Sequence, residues 1–284
     1  MSAANEPFTY GLNTSTIRGA ELSLPDEINL CAEAGYDGIE PWIRELDAYV
    51  AGGGSLADLA RRTADRGLAV PNAIGFFAWI VDDADARCAG LEEARRNFEM
   101  CAAIGCERLA APPFGATDAA GLDLRQAAER YAELCRIGAE FGVTPMVEFW
   151  GASRCLSRLG EAMLIAVESG CDQACVLADV YHMYKGGSPA AGLAKLSPGA
   201  LGLLHYNDYP ADPPRETIAD ADRVYPGDGV APLATFVRCL DGIGYRGMLS
   251  LELFNEAYYR QGAAEVARTG LEKMRATVAA ALAE

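Results

Sequence analysis

Short apolar runs recur along the chain, and longer amphipathic stretches separate them. Residues 8–12 (Phe-Thr-Tyr-Gly-Leu) alternate and read as a first strand. Pro25 and Asp26 then stand in the first turn of a helix over 24–34, which Gly35 stops. Residues 36–40 form a short strand ending in Glu40. Ser55 caps a helix over 56–66, and 68–74 is a third strand. The same alternation gives helices over 83–104, 123–141, 157–169, 190–196, 232–243 and 263–282. The strands between them cover 108–112, 143–149, 174–179, 201–206 and 247–254.

Eight strand–helix units result. Six of the helices end in glycine shortly before the next strand, at Gly35, Gly67, Gly105, Gly142, Gly170 and Gly244. Strands alternating with helices imply parallel pairing. Eight such units in 284 residues predict an α/β fold, a single closed (β/α)₈ TIM barrel. No Gly-x-Gly-x-x-Gly follows the first strand, which argues against dinucleotide binding. No low-complexity linker interrupts the chain. One domain over 1–284 is expected, with 1–6 as a loose tail.

Charge narrows the partners. With 24 basic and 40 acidic residues the net charge is −16, which opposes binding to nucleic acid or an anionic membrane. The nine cysteines are scattered without a Cys-x-x-Cys and read as reduced, small apolar residues. The N-terminus lacks a charged-then-apolar leader, and no apolar stretch is long enough to span a membrane. By elimination a cytoplasmic location is expected. The sequence leaves room for a homo-oligomer.

The candidate chemistry stands at strand ends. Glu148, Asp179, His205 and Glu252 close four consecutive predicted strands, and His205 is one of only two histidines. In a barrel of this kind the C-terminal strand ends carry the chemistry. Neighbouring strands are about 5 Å apart, so the four side chains can meet around one divalent ion. Three carboxylates and an imidazole favour Mn²⁺ or Mg²⁺, with Co²⁺ or Zn²⁺ also compatible. Other residues keep two readings each. His182 can contact a substrate hydroxyl or make a structural hydrogen bond. Arg223 can clamp a substrate or face solvent. Glu40 can bind substrate hydroxyls or form a buried salt bridge. Asn207 and Asp208 can orient His205 or cap the loop. Lys185-Gly-Gly187 can hold a phosphate or simply turn. Trp42, Phe76, Phe77, Trp79, Trp150 and Phe254 lie near strand ends and suit the wall of a small-molecule pocket.

The motifs Gly-Tyr-Asp-Gly-Ile-Glu (35–40), Val-Glu-Phe (147–149), Asp-x-x-His (179–182), His-Tyr-Asn-Asp (205–208), Arg-Val-Tyr-Pro-Gly-Asp-Gly (223–229) and Leu-Ser-Leu-Glu-Leu-Phe (249–254) resemble the xylose-isomerase-like barrels over about residues 8–280. That superfamily holds sugar isomerases and epimerases, inosose isomerases and dehydratases, dehydroshikimate dehydratases and apurinic endonucleases. The loop at 222–229 and Glu-Leu-Phe-x-x-x-Tyr-Tyr at 252–259 are most similar to the inosose isomerase branch. The resemblance implies that Glu148, Asp179, His205 and Glu252 hold the metal, and that His182 and Arg223 contact substrate. Residues 151–155 (Gly-Ala-Ser-Arg-Cys) carry no histidine where the inosose isomerase pattern has one.

A metal at this site would polarise the carbonyl of an α-hydroxy ketone. Glu148 or Glu252 would move the proton of the neighbouring carbon. Where the proton returns decides between isomerisation and epimerisation, and loss of a β-hydroxyl gives dehydration. The expected activity is therefore isomerisation or epimerisation of a small polyol ketone or keto-sugar. Dehydration of an inosose or dehydroshikimate on the same site is the alternative, with a non-catalytic sugar-binding barrel after it. Two histidines and the negative charge set the endonucleases aside.

Overall fold

The computed structural model describes residues 6–283. Apart from Glu6, the tail expected at 1–6 lies outside the described residues. The strands β1 Thr9–Asn13, β2 Gly38–Glu40, β3 Arg108–Ala111, β4 Thr144–Glu148, β5 Cys175–Asp179, β6 Leu201–His205 and β7 Met248–Leu251 form one sheet. It is parallel throughout, in the order β2-β1-β7-β6-β5-β4-β3. The helices are α1 Leu24–Ala34, α2 Ile43–Ala51, α3 Leu56–Asp65, α4 Ala84–Ala103, α5 Leu124–Ala139, α6 Leu159–Glu168, α7 Val180–Gly186, α8 Leu233–Gly242, α9 Glu256–Tyr259 and α10 Ala263–Ala283.

One of the eight expected strands is not a regular strand. The segment expected at 68–74 makes only isolated parallel bridges, Ala69 with Gly38, Ile74 with Trp42 and Ala73 with Leu109. Pro71 in its middle has no N–H to give a ladder, and Asn72 turns its side chain to Glu40. The segment nevertheless bonds to both edges of the sheet: Ala69 N donates to Asp37 O and Ala110 N to Ala73 O. Two other expectations shift. The helix at 190–196 is a 3₁₀ segment, Ala190–Lys195. The helices α2, α7 and α9 follow the strand ends directly and lie outside the expected eight units.

The punctuation is as the composition implies. Ser23, Ser55, Asp83 and Asp123 each accept a backbone N–H at a helix N-terminus. The six helix-stopping glycines all have φ between 67° and 90°, a region that a Cβ disfavours. Two apolar clusters flank the sheet. The larger lies between strands and helices. The smaller, with Ala110, Met146, Cys175, Leu177 and Leu203, fills the inner face below the strand ends. Among the described residues no helix is long and apolar enough to cross a membrane.

Candidate active site

Strand pairing explains why the candidate side chains share one face. Parallel partners point the same way, and a step of two along a strand returns to that face. Glu148 pairs with Leu177, two residues before Asp179. Asp179 pairs with His205, and His205 with Ser250, two residues before Glu252. On the other side of β7, Gly11 pairs with Ser250 and with Gly38, which puts Asn13 and Glu40 on the same face too.

Asp179, His205 and Glu252 come together. One ligand-type atom from each lies within 4.8 Å of the others, and all three residues are buried. His205 Nδ1 is 3.1 Å from Glu252 Oε2 and 3.4 Å from Asp179 Oδ2. It is nonetheless a buried atom with no hydrogen bond of acceptable geometry. Glu148 stands just outside this group. Its Oε1 accepts a 3.0 Å hydrogen bond from Trp150 Nε1, while Oε2 is buried without a partner. Two orphaned buried atoms among carboxylates, which are costly to leave unpaired, fit a divalent cation. The residues present could hold one.

The surroundings set the protonation. Burial by itself disfavours a charged His205, but Glu252, Glu40 and Asp179 outweigh it and hold the imidazole well above the usual histidine range. Burial, and then the nearby charge of Glu252, push Glu148 up to about 8. Asp179 goes the other way. Burial opposes its charge, but Arg223, His182 and His205 keep it well below the usual carboxylate range.

Glu40 is not on the substrate side. It is fully buried, and both its oxygens are 3.1 Å from His205 Nε2. Asn13, Asn72 and Ser250 donate to it as well, at 2.9, 2.6 and 2.7 Å. It therefore fixes the back of the imidazole, so that Nδ1 faces Asp179 and Glu252. A Glu40→Gln variant is expected to bind Mn²⁺ about 10- to 100-fold more weakly. Calorimetric titration measures this, and unaltered affinity would contradict the role.

The loop after β6 delivers Arg223. The residue is 1 % exposed, with Nη1 donating to Asp179 Oδ2 at 3.0 Å and to Glu252 Oε2 at 2.8 Å. Its Nη2 donates to Asp220 and lies 3.1 Å from His182 Nε2. The guanidinium also stacks over Tyr181 and Phe254. Asn207 serves Asp179 rather than His205: its Nδ2 donates to Asp179 Oδ2 at 3.0 Å. Asp208 organises the loop by accepting the N–H groups of Tyr209, Gly227, Gly229 and Ala231. A Cβ at Gly229 would collide with Tyr209 O and the Asp208 carboxylate, so the glycine lets the 223–229 loop close onto Asp208. Lys185 is not free to hold a phosphate, because its Nζ donates to the carbonyls of Arg215, Glu216 and Ile218.

Above these groups opens a cavity of about 540 Å³, lined by Glu148, His182, Asp220, Arg223 and Glu252 on its polar side. Trp42, Phe76, Trp150 and Phe254 form the apolar wall, and exposed Phe114 stacks on Phe76. Phe77 and Trp79 instead face the helices, against Phe98 and Tyr131.

A family model described as a xylose isomerase-like TIM barrel matches residues 28–277. The chain belongs to that family. It is 30 % identical to an inosose isomerase of Bacillus velezensis, over 90 % of this chain and 92 % of the relative. A 3-dehydroshikimate dehydratase of Pseudomonas aeruginosa is 28 % identical over 83 % of this chain but only 37 % of its own length. Among solved structures, an IolI protein with a bound zinc atom superposes with a TM-score of 0.88 at 23 % identity, covering 96 % of this chain and 99 % of that one. An L-ribulose 3-epimerase gives 0.76 at 18 %, over 96 % and 95 %. In this member of the family the motif residues Glu148, His182, Arg223, Glu252 and Phe254 line one cavity, and Asp179 and His205 group with Glu252. Asn13, Asn72 and Asp220 belong to the same network although no local pattern marks them, and Ser250 joins it from within the 249–254 motif.

Proposed function

We propose that the chain is a divalent-metal-dependent isomerase or epimerase of an uncharged keto-polyol, built as one eight-unit barrel in which the segment at 69–74 takes the third strand's place. The observation that carries this is the meeting of Asp179, His205 and Glu252 below an open cavity, with an unpartnered Glu148 oxygen beside it. In this reading Glu148, Asp179, His205 and Glu252 hold the ion, which is Mn²⁺ or Mg²⁺ by the hardness of the donors. The ion, when bound, acts as a Lewis acid on a ketone oxygen.

The chain's own groups do the rest. Glu148 and Glu252 take and return the carbon-bound proton. His182 Nδ1 accepts the Gly151 N–H at 3.2 Å, which leaves the ring proton on Nε2. Burial keeps this imidazole below the usual histidine range, against the pull of Asp179. Its Nε2–H and Arg223 Nη2, 3.1 Å apart, then stand side by side as two donors, a pairing that suits one substrate oxygen in front of both. Trp150 both anchors Glu148 and walls the pocket, and the aromatic side excludes water from the developing charge.

Charge favours a neutral substrate. Among the described lining residues Arg223 is the one cation, and the charge of its Nη1 and Nη2 is already met by Asp179, Glu252 and Asp220. A phosphate or carboxylate would meet no other cation among the described lining residues. This favours an inosose or ketose over dehydroshikimate, although the dehydratase relatives keep dehydration of a neutral inosose as the second reading. The test is turnover of 2-keto-myo-inositol, ketohexoses and 3-dehydroshikimate after metal stripping and addition of Mn²⁺. Neutral ketones should react only with metal. Reaction of none of them sinks the assignment, and an ultraviolet-absorbing enone product from the inosose selects dehydration.

A further inference from the structure

Lys185 lies one turn beyond His182 on α7, and the spacing of three residues puts both on one side of the helix. Its ammonium donates at 3.0, 3.0 and 2.9 Å to Arg215 O, Glu216 O and Ile218 O. Three N–H groups thus meet three carbonyls. The Ile218 carbonyl also accepts the Tyr181 hydroxyl at 3.2 Å. Ile218 is buried, and within five residues the same segment supplies Asp220 and Arg223 to the cavity. Three carbonyls aimed at one point repel each other and need a shared donor. The loop's path is therefore held by Asp208 at its base, by Asn255 Nδ2, which donates to Arg223 O at 2.9 Å, and by Lys185 near its tip.

We propose that Lys185 is a positioning residue that acts through Arg223: it fixes the segment 215–223 so that the guanidinium reaches Asp179, Glu252 and the substrate. The inference rests on the proposed substrate-facing role of Arg223. A methionine at 185 keeps the apolar stem and removes the ammonium. The carbonyls then part, the segment relaxes toward water, and Arg223 loses its fixed approach while Asp179, His205 and Glu252 stay on their strands.

The experiment is a double-mutant cycle of Lys185→Met and Arg223→Met, read as kcat/KM on 2-keto-myo-inositol, with amide hydrogen exchange alongside. Lys185→Met is expected to lower kcat/KM about ten- to a hundredfold, mainly through KM. In the Arg223→Met background it should change kcat/KM less than about twofold, since coupled residues are not additive. Losses that multiply, or a Lys185→Met variant with wild-type kcat/KM, overturn the proposal. An Arg223→Met variant with wild-type kcat/KM overturns instead the reading of the site. The exchange measurement needs no substrate: amides over 209–223 should exchange at least about tenfold faster in Lys185→Met than in the wild type, with the β-strands unaltered. Unaltered exchange in the loop overturns the clamp.

Discussion

Glu148→Gln is expected to lower turnover by about 10²- to 10⁴-fold at saturating metal, the usual worth of a positioned acid–base group. The geometry makes the substitution a clean one. Glutamine can keep its oxygen on Trp150 Nε1, where Glu148 Oε1 now accepts at 3.0 Å. What is lost is the second oxygen, which is buried and unpartnered and is the atom able to take a proton. Glu252→Gln should cost a similar factor, because Glu252 Oε2 lies between Arg223 and His205. Initial rates at several Mn²⁺ concentrations separate lost chemistry from weakened metal binding. Full turnover in both variants would show that neither carboxylate is the base.

Removing divalent ions should abolish turnover, and the affinity for restored Mn²⁺ should rise with pH. The sign follows from the two groups that must give up protons. Glu148 is pushed up to about 8, and His205 is held well above its ordinary range by Glu252 and Glu40 despite its burial. Both therefore carry protons near neutrality without metal, and both bind an ion only after losing them. For each displaced proton the affinity falls by about tenfold per pH unit below the group's titration. Mn²⁺ titration in two buffers of unlike ionisation enthalpy measures the protons released. If none is released, the metal is not bound through these two groups.

The strand-end residues were legible in the sequence because they sit where an apolar run stops, and parity along the strands does the rest. Gly35, Gly142 and Gly170 marked helix ends because their positive φ is a local demand. The third strand was misread because its apolar residues fit a strand while Pro71 breaks the ladder. Glu40 was visible as a strand end, but its partner was not. Its attachment to His205 spans 165 positions and depends on how the sheet curls. Lys185 likewise looked like a turn residue beside two glycines, because the carbonyls it binds lie about 30 residues away. The helix α7 follows from Asp179 itself, whose Oδ1 caps the His182 N–H at 2.8 Å while Oδ2 faces the site.

Asn13 has a meaning for how the molecule assembles. Its side chain donates to Glu40 and to Glu252, 239 positions away, and accepts from Trp42 Nε1. The first strand and the last thus share one amide beneath the chemistry. Until β7 docks on β1, Glu252 lacks that anchor, and Glu40 lacks both Ser250 and part of its fixed position behind His205. That docking closes the longest loop in the sheet, an entropic cost met only when the chain is nearly complete. On the proposed metal reading, tight metal uptake is expected late in folding, and the growth of metal affinity would report when the two ends of the chain have met.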